Sequence, residues 1–147
     1  MSLLDRIRKD YPKAVERECR DEGKKLKKGR AGEIVILHGE NLKPGSQPIC
    51  DCIALRETSS QIIVAIVELK SKTIRPSRAI KQLKGCYQFV KKMLQSYRVK
   101  DEMVSYRFAI FAEQRSASDM KLIRRADIGG ESVVTKKYTD TLGSLLA

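Results

Sequence analysis

The chain has 147 residues, 41% hydrophobic and 33% charged, the composition of a globular rather than a disordered chain and a length sufficient for one domain with a real core. Lys and Arg outnumber Asp and Glu by 30 to 18, a net charge of +12, which points to a polyanionic partner reached by fast, salt-sensitive association. There is no apolar span, basic amphipathic anchor or apolar leader core, so neither a membrane partner nor secretion is expected.

Residues 3–28 read as helical, with a break near Pro12. Asp10 is placed to cap a helix starting at Tyr11 and Pro12, since proline is tolerated in a first turn. Val15, Cys19, Glu22 and Leu26 then share a stripe, with Glu18 at its edge. Residues 24–30 carry five basic side chains, Lys24, Lys25, Lys27, Lys28 and Arg30. They read either as a phosphate-contacting patch or as a solvated helix end, where cations are favoured. Gly29 and Gly32 stop the helix. Residues 33–37 read as a strand, uniformly apolar after Glu33 as expected when both faces are covered, with His38 in the loop beyond. Residues 41–48 are rich in turn formers and lead straight to Asp51.

Residues 48–70 hold two apolar runs joined by Glu57-Thr58-Ser59-Ser60. Strand periodicity puts Asp51 on one face with Ile49, Ile53 and Leu55, and puts Glu68 and Lys70 with Ile62, Val64 and Ile66. Folded as a hairpin, the two runs bring Asp51, Glu68 and Lys70 together at one end of a sheet. Opposed Cβ atoms across a strand pair lie about 4.5–5.5 Å apart. Two carboxylates at that distance repel, and one pKa rises unless a cation intervenes. Lys70 supplies part of the relief. A hard divalent cation supplies more, taking oxygen ligands from one or two carboxylates and a substrate phosphate. The pattern therefore reads as a metal-dependent phosphodiesterase site; the plain alternative is a hairpin whose charged ends face water. Cys50 and Cys52 fall on the face opposite Asp51, as small hydrophobes. With Cys19 and Cys86 they form no C-x-x-C pair, and His38 is the only histidine, which argues against zinc and for reduced, cytoplasmic thiols.

A helix is expected from Pro76 and Ser77, with Ser77 as cap, to about Tyr97. Its core stripe is Ala79, Leu83, Tyr87, Val90 and Leu94, with Gln82 on the flank. Residues 105–112 read as a strand that pairs parallel after this crossover helix. A short serine-capped helix over 116–125, a Gly129-Gly130 turn, a strand over 132–138 and a weakly apolar tail complete the chain. The tail is expected to pack on the domain or on a second copy.

Asp51, followed seventeen positions later by Glu68-x-Lys70, resembles the PD-(D/E)xK nuclease superfamily. The text V-E-L-K-S-K-T is most similar to small archaeal Holliday-junction-resolvase-like nucleases, and the likeness spans residues 12–112 in element order. Pro48 stands three residues before Asp51, so the Pro-Asp dipeptide is not intact. The helix with Gln82 and Tyr87 resembles the Gln-and-Tyr motif of recombination-type exonucleases, at a spacing one residue wider. The resemblance implies one nuclease-like domain over residues 1–147, α/β in class. Its core would be a three-layer α/β/α restriction-endonuclease-like arrangement with a central mixed sheet. It implies Mg2+ or Mn2+ held by Asp51 and Glu68 with the Leu69 carbonyl. Lys70 would act on the attacking water or the pentacovalent phosphate, with Gln82 auxiliary. A third carboxylate would come from the first helix, Glu18 ahead of Glu22. Lys72, Arg75, Arg78, Lys81 and the 24–30 patch would bind the nucleic-acid backbone, in a homodimer if the likeness to resolvases extends that far. DNA structure or ends, more than base sequence, would be recognised. Two rivals stay open: a catalytically silent nucleic-acid-binding module on the same fold, and a subunit whose basic face meets an acidic protein.

Overall fold

The computed structural model describes residues 1–21, 24–29, 32–42, 49–70, 74–113 and 116–147. The first helix, α1 (Leu3–Asp10), is capped by the Ser2 hydroxyl, which accepts from the Asp5 N–H at 3.2 Å. Leu3, Leu4 and Ile7 form its buried stripe, and it ends before Pro12, which disfavours helical backbone in the residue ahead of it.

The expected continuation of this helix to residue 28 is overturned. Three short strands follow instead: β1 (Val15–Glu16), β2 (Cys19–Asp21) and β3 (Lys24–Leu26). In the β2–β3 hairpin Cys19 sits directly opposite Leu26, and both are fully buried. A helical stripe and this cross-strand pair make the same demand for one shared apolar face, and tertiary burial decided between them.

The centre of the molecule is a seven-stranded mixed sheet in the order β1-β4-β5-β6-β7-β9-β8. Strands β4 (Val35–His38), β5 (Cys52–Glu57) and β6 (Ile62–Lys70) are antiparallel neighbours. The β5–β6 hairpin turns through residues 58–61, where the Thr58 hydroxyl accepts from the Gln61 N–H at 3.0 Å. Helix α2 (Pro76–Ser96) then carries the chain across to β7 (Val104–Ala112), parallel to β6 as expected. Arg75 occupies the N-cap position of α2 without a side-chain bond, so Ser77 is a first-turn residue and not the cap. Helix α3 (Ala117–Arg124) is capped by Ser116, which accepts from the Asp119 N–H at 3.2 Å. Strands β8 (Asp127–Ile128) and β9 (Glu131–Lys136) form a hairpin, with β9 parallel to β7. Gly129 and Gly130 turn it at φ +61° and +88°, and a side chain on Gly129 would strike the Tyr87 hydroxyl.

The two faces of the sheet are covered differently. Residues of alternate parity, among them Leu37, Leu55, Val64, Ile66 and Ile110, pack under α1, α2 and α3. The opposite parity, including Ile36, Ala54, Ala65, Val67 and Phe111, packs under the β2–β3 hairpin and the last helix, α4 (Leu142–Leu146). The apolar tail therefore closes on its own chain. Leu142, Leu145 and Leu146 are buried there, each stabilising by about 1.5–3 kcal/mol. The first N–H groups of α4 are met by backbone: Leu142 N–H donates to the Lys27 carbonyl and Gly143 N–H to the Lys28 carbonyl, both at 2.8 Å.

The cysteines also depart from expectation. All four are paired, Cys19 with Cys52 and Cys50 with Cys86. Cys50 lies ahead of β5, outside the strand's alternation, and turns to the α2 face, whereas Cys52 lies on the hairpin face. Reduced thiols were the argument for a cytoplasmic chain, and that argument falls with them. Among the described residues no helix is long and apolar enough to cross a membrane.

Candidate functional site

The register Cys52↔Val67 ends the paired part of the β5–β6 hairpin, leaving Asp51 and Glu68 as the next residues on each side. Neighbouring groups complete the bonding there. The Asp51 N–H donates to Glu68 Oε1 at 3.1 Å, and the Leu69 N–H donates to Asp51 Oδ2 at 2.6 Å. Each carboxylate thus receives a backbone donor from the other's strand, and this holds the two acids side by side.

Glu68 is 1% exposed and is the only buried charged residue among those described. A buried charge is tolerated when it is paired and hydrogen-bonded. Lys70, two residues on and on the same face, supplies the pair, with Nζ 2.9 Å from Glu68 Oε2. Lys70 Nζ also donates to Gln82 Oε1 at 3.4 Å, and Gln82 Nε2 donates to the Ile49 carbonyl at 3.4 Å. Gln82 therefore bridges the lysine on β6 and the backbone that leads into Asp51.

The Asp51 carboxyl is pushed up to about 8. Burial is the main cause, followed by its hydrogen bond to Glu68 and the repulsion between the two carboxylates; the Leu69 N–H and Lys70 act the other way. This is the behaviour of two acids confined together in a poorly solvated place. A cation placed between the two carboxylates would relieve the part of that shift that comes from their repulsion. Asp51 and Glu68 offer hard oxygen donors, so the residues present fit a divalent cation of the Mg2+ or Mn2+ kind.

The structure brings Asp51, Glu68, Leu69, Lys70 and Gln82 together. Glu18 is not joined to them. It lies ahead of β2 and not on a helix, and its Oε1 pairs with Lys25 Nζ at 3.6 Å. Glu22 lies outside the described residues. Tyr87 takes no part, its ring packing edge-on against Tyr106 and Phe108.

The basic residues divide into two groups. Arg75, Arg78 and Lys81 are exposed on and before the first turns of α2. Lys81 and Lys84 line an open groove with Arg125 from beyond α3. On the opposite face, Lys24 pairs with Glu113 and sits over the Tyr138 ring, while Lys25, Lys27 and Lys28 are exposed. Arg30 and Lys72 lie outside the described residues, as do residues 43–48 of the loop expected to overhang the site.

Sequence reasoning missed several contributors. Gly39 follows β4, and its N–H donates to the Asp51 carbonyl at 3.0 Å; a side chain there would collide with the Cys50 carbonyl. Tyr138 donates to the Lys70 carbonyl at 3.0 Å from the other face of the sheet. Neither has a local signal, because each acts through a contact distant in sequence. The Cys50–Cys86 bond was within reach only if α2 were known to lie over residue 50.

Comparison with known proteins adds no relative: no family model, no curated protein and no solved structure matches the chain.

Proposed function

We propose that the chain is a metal-dependent nuclease that hydrolyses phosphodiester bonds of nucleic acid, DNA first among them. The observation that carries this reading is the joined pair of Asp51 and Glu68 with Lys70 bonded to it. A buried acid beside a half-buried one whose pKa is raised is costly to a fold and is typical of sites where charge is handled. Asp51, Glu68 and the Leu69 carbonyl would hold the cation, which when bound neutralises charge on the phosphate and makes water more acidic. Lys70 carries the fixed positive charge. Held between Glu68 and Gln82, it is placed to orient water or stabilise the crowded phosphate. The exposed cations of α2 and of the β3 end would take the backbone on either side, contacts that position nucleic acid without reading its sequence.

Supporting arguments come from element order. An antiparallel β4–β5–β6 run, a crossover helix and a parallel β7 form the sequence of elements expected of a restriction-endonuclease-like core. Asp51 and Glu68, the two acids on which the resemblance rests, are joined by the Asp51 N–H at one end of the β5–β6 hairpin.

A second reading has an observation in its favour. Both acids already have partners within the chain, which suits a silent binding module on this fold. A cleavage assay separates the two. Labelled single strand, duplex, flap, fork and four-way junction are incubated with Mg2+, Mn2+ or EDTA, beside Asp51→Asn and Lys70→Ala. The expected outcome is metal-dependent cutting reduced at least about 100-fold in both variants, with affinity for nucleic acid little changed. Tight, salt-sensitive binding with no cutting in any lane selects the binding module.

A further inference from the structure

Asp51 is the one acid of its site that no sheet ladder holds, and both of its sequence neighbours are crosslinked. Cys50 is joined to Cys86 on α2, with Cα atoms 5.8 Å apart, and Cys52 to Cys19 on β2, 5.7 Å apart. The two bonds leave in opposite directions, one to each face of the sheet. Cys86 lies four residues after Gln82, on the same side of α2. That one helix face therefore grips the approach to Asp51 twice, through the disulfide at residue 50 and through Gln82 at the Ile49 carbonyl. All four sulfurs are fully or almost fully buried.

We propose that Cys50 and Cys86 are positioning residues whose disulfide holds Asp51 against Glu68, so that the site is assembled in the oxidised chain and loosened by thiols. The balanced step is exchange with a small dithiol: the reagent gives up two protons and two electrons and closes to its own disulfide, and Cys50 and Cys86 become thiols. The freed segment is then left with the Gly39 and Gln82 bonds, its ladder start at Cys52 and the Asp51–Glu68 and Leu69–Asp51 bonds themselves, without a covalent tie behind them. Cys19–Cys52 anchors the strand itself, so its loss bears less on the carboxylate. The proposal rests on the nuclease reading only for what the assembled site does; the positioning is a property of the chain alone.

The test follows amide hydrogen exchange by NMR on the full chain. Four samples are compared: oxidised, reduced with dithiothreitol, Cys86→Ser and Cys19→Ser. Reporters are the Asp51 and Leu69 amides, which donate to Glu68 and Asp51, and the control is the Phe108–Ile110 stretch of β7. Metal-dependent cleavage is measured on the same samples. The expected result is exchange at Asp51 and Leu69 at least tenfold faster after reduction and in Cys86→Ser, beyond any change in β7. Reoxidation should restore the reduced sample, and Cys19→Ser should move the reporters less. An equal rise at all amides means general destabilisation and overturns the proposal, as do unmoved reporters in a chain shown by mass to be reduced. Reporters that respond in a chain that cuts nothing uphold the positioning and sink the nuclease reading. Equal cutting in both redox states with unmoved reporters does the reverse.

Discussion

Asp51 and Glu68 reach the same place by opposite means. Glu68 sits inside the nine-residue strand β6, one step past its last β5 partner and opposite Ile110 of β7, and its backbone position follows from that ladder. Asp51 lies one residue outside its strand, and its place depends on Gly39, Gln82 and a disulfide. One half of the site is held by regular backbone and the other by individual ties. The carboxyl of the tied half, Asp51, has its pKa raised, chiefly by burial and by the neighbouring Glu68. A single bond can be tuned or released without disturbing the sheet, whereas the ladder cannot.

Substituting the two acids separately should expose this difference. Asp51→Asn keeps an acceptor for the Leu69 N–H and removes the repulsion. It should cut metal-dependent cleavage at least about 100-fold and raise the thermal stability of the metal-free protein increasingly as pH rises toward about 8, where Asp51 itself becomes charged. Glu68→Gln leaves the Lys70 ammonium without its counter-charge and should cost about 1–3 kcal/mol, read from denaturant midpoints. If both variants change stability alike, the two halves are not held differently. Gly39→Ala drives a methyl group toward the Cys50 carbonyl, and overpacking of this kind costs about 1–3 kcal/mol. Its loss of cleavage should exceed its loss of stability; cleavage at the parent rate would mean that Asp51 does not need that tie.

The pH dependence gives a further comparison. The unfolded Asp51 carboxyl ionises near 3.8, and the folded one near 8. Between these values the folded state binds one more proton than the unfolded state, so stability declines as pH rises, by at most about 1.4 kcal/mol per unit, and levels off above about 8. Calorimetry of the metal-free protein should show this decline, and Asp51→Asn should flatten it. Mg2+ binding below pH 8 should release protons, which two buffers of different ionisation enthalpy would reveal.

The sequence was legible where backbone regularity governs. Period two placed Glu68, Lys70 and the β6 core on one face, the Glu57 to Ser60 text marked the hairpin turn, and Ser116 marked the start of α3. It was misleading over residues 15–26, where the spacing of Val15, Cys19 and Leu26 suits a helix as well as the hairpin that forms. It also misplaced Cys50, because alternation was extended one step past the end of β5. The third acid expected from a first helix lost its support with that helix.

The backbone bonds between α4 and residues 27–28 bear on how the basic face meets a partner. Read as text, these lysines belong to a cationic run at the end of a helix, whose fraying last turn would have to be ordered on contact. In the folded chain the Lys27 and Lys28 carbonyls already terminate a helix. The main-chain entropy, about 1–2 kcal/mol per residue, has been surrendered during folding. A polyanion settling there would freeze side chains only, so those two lysines act as preorganised charge.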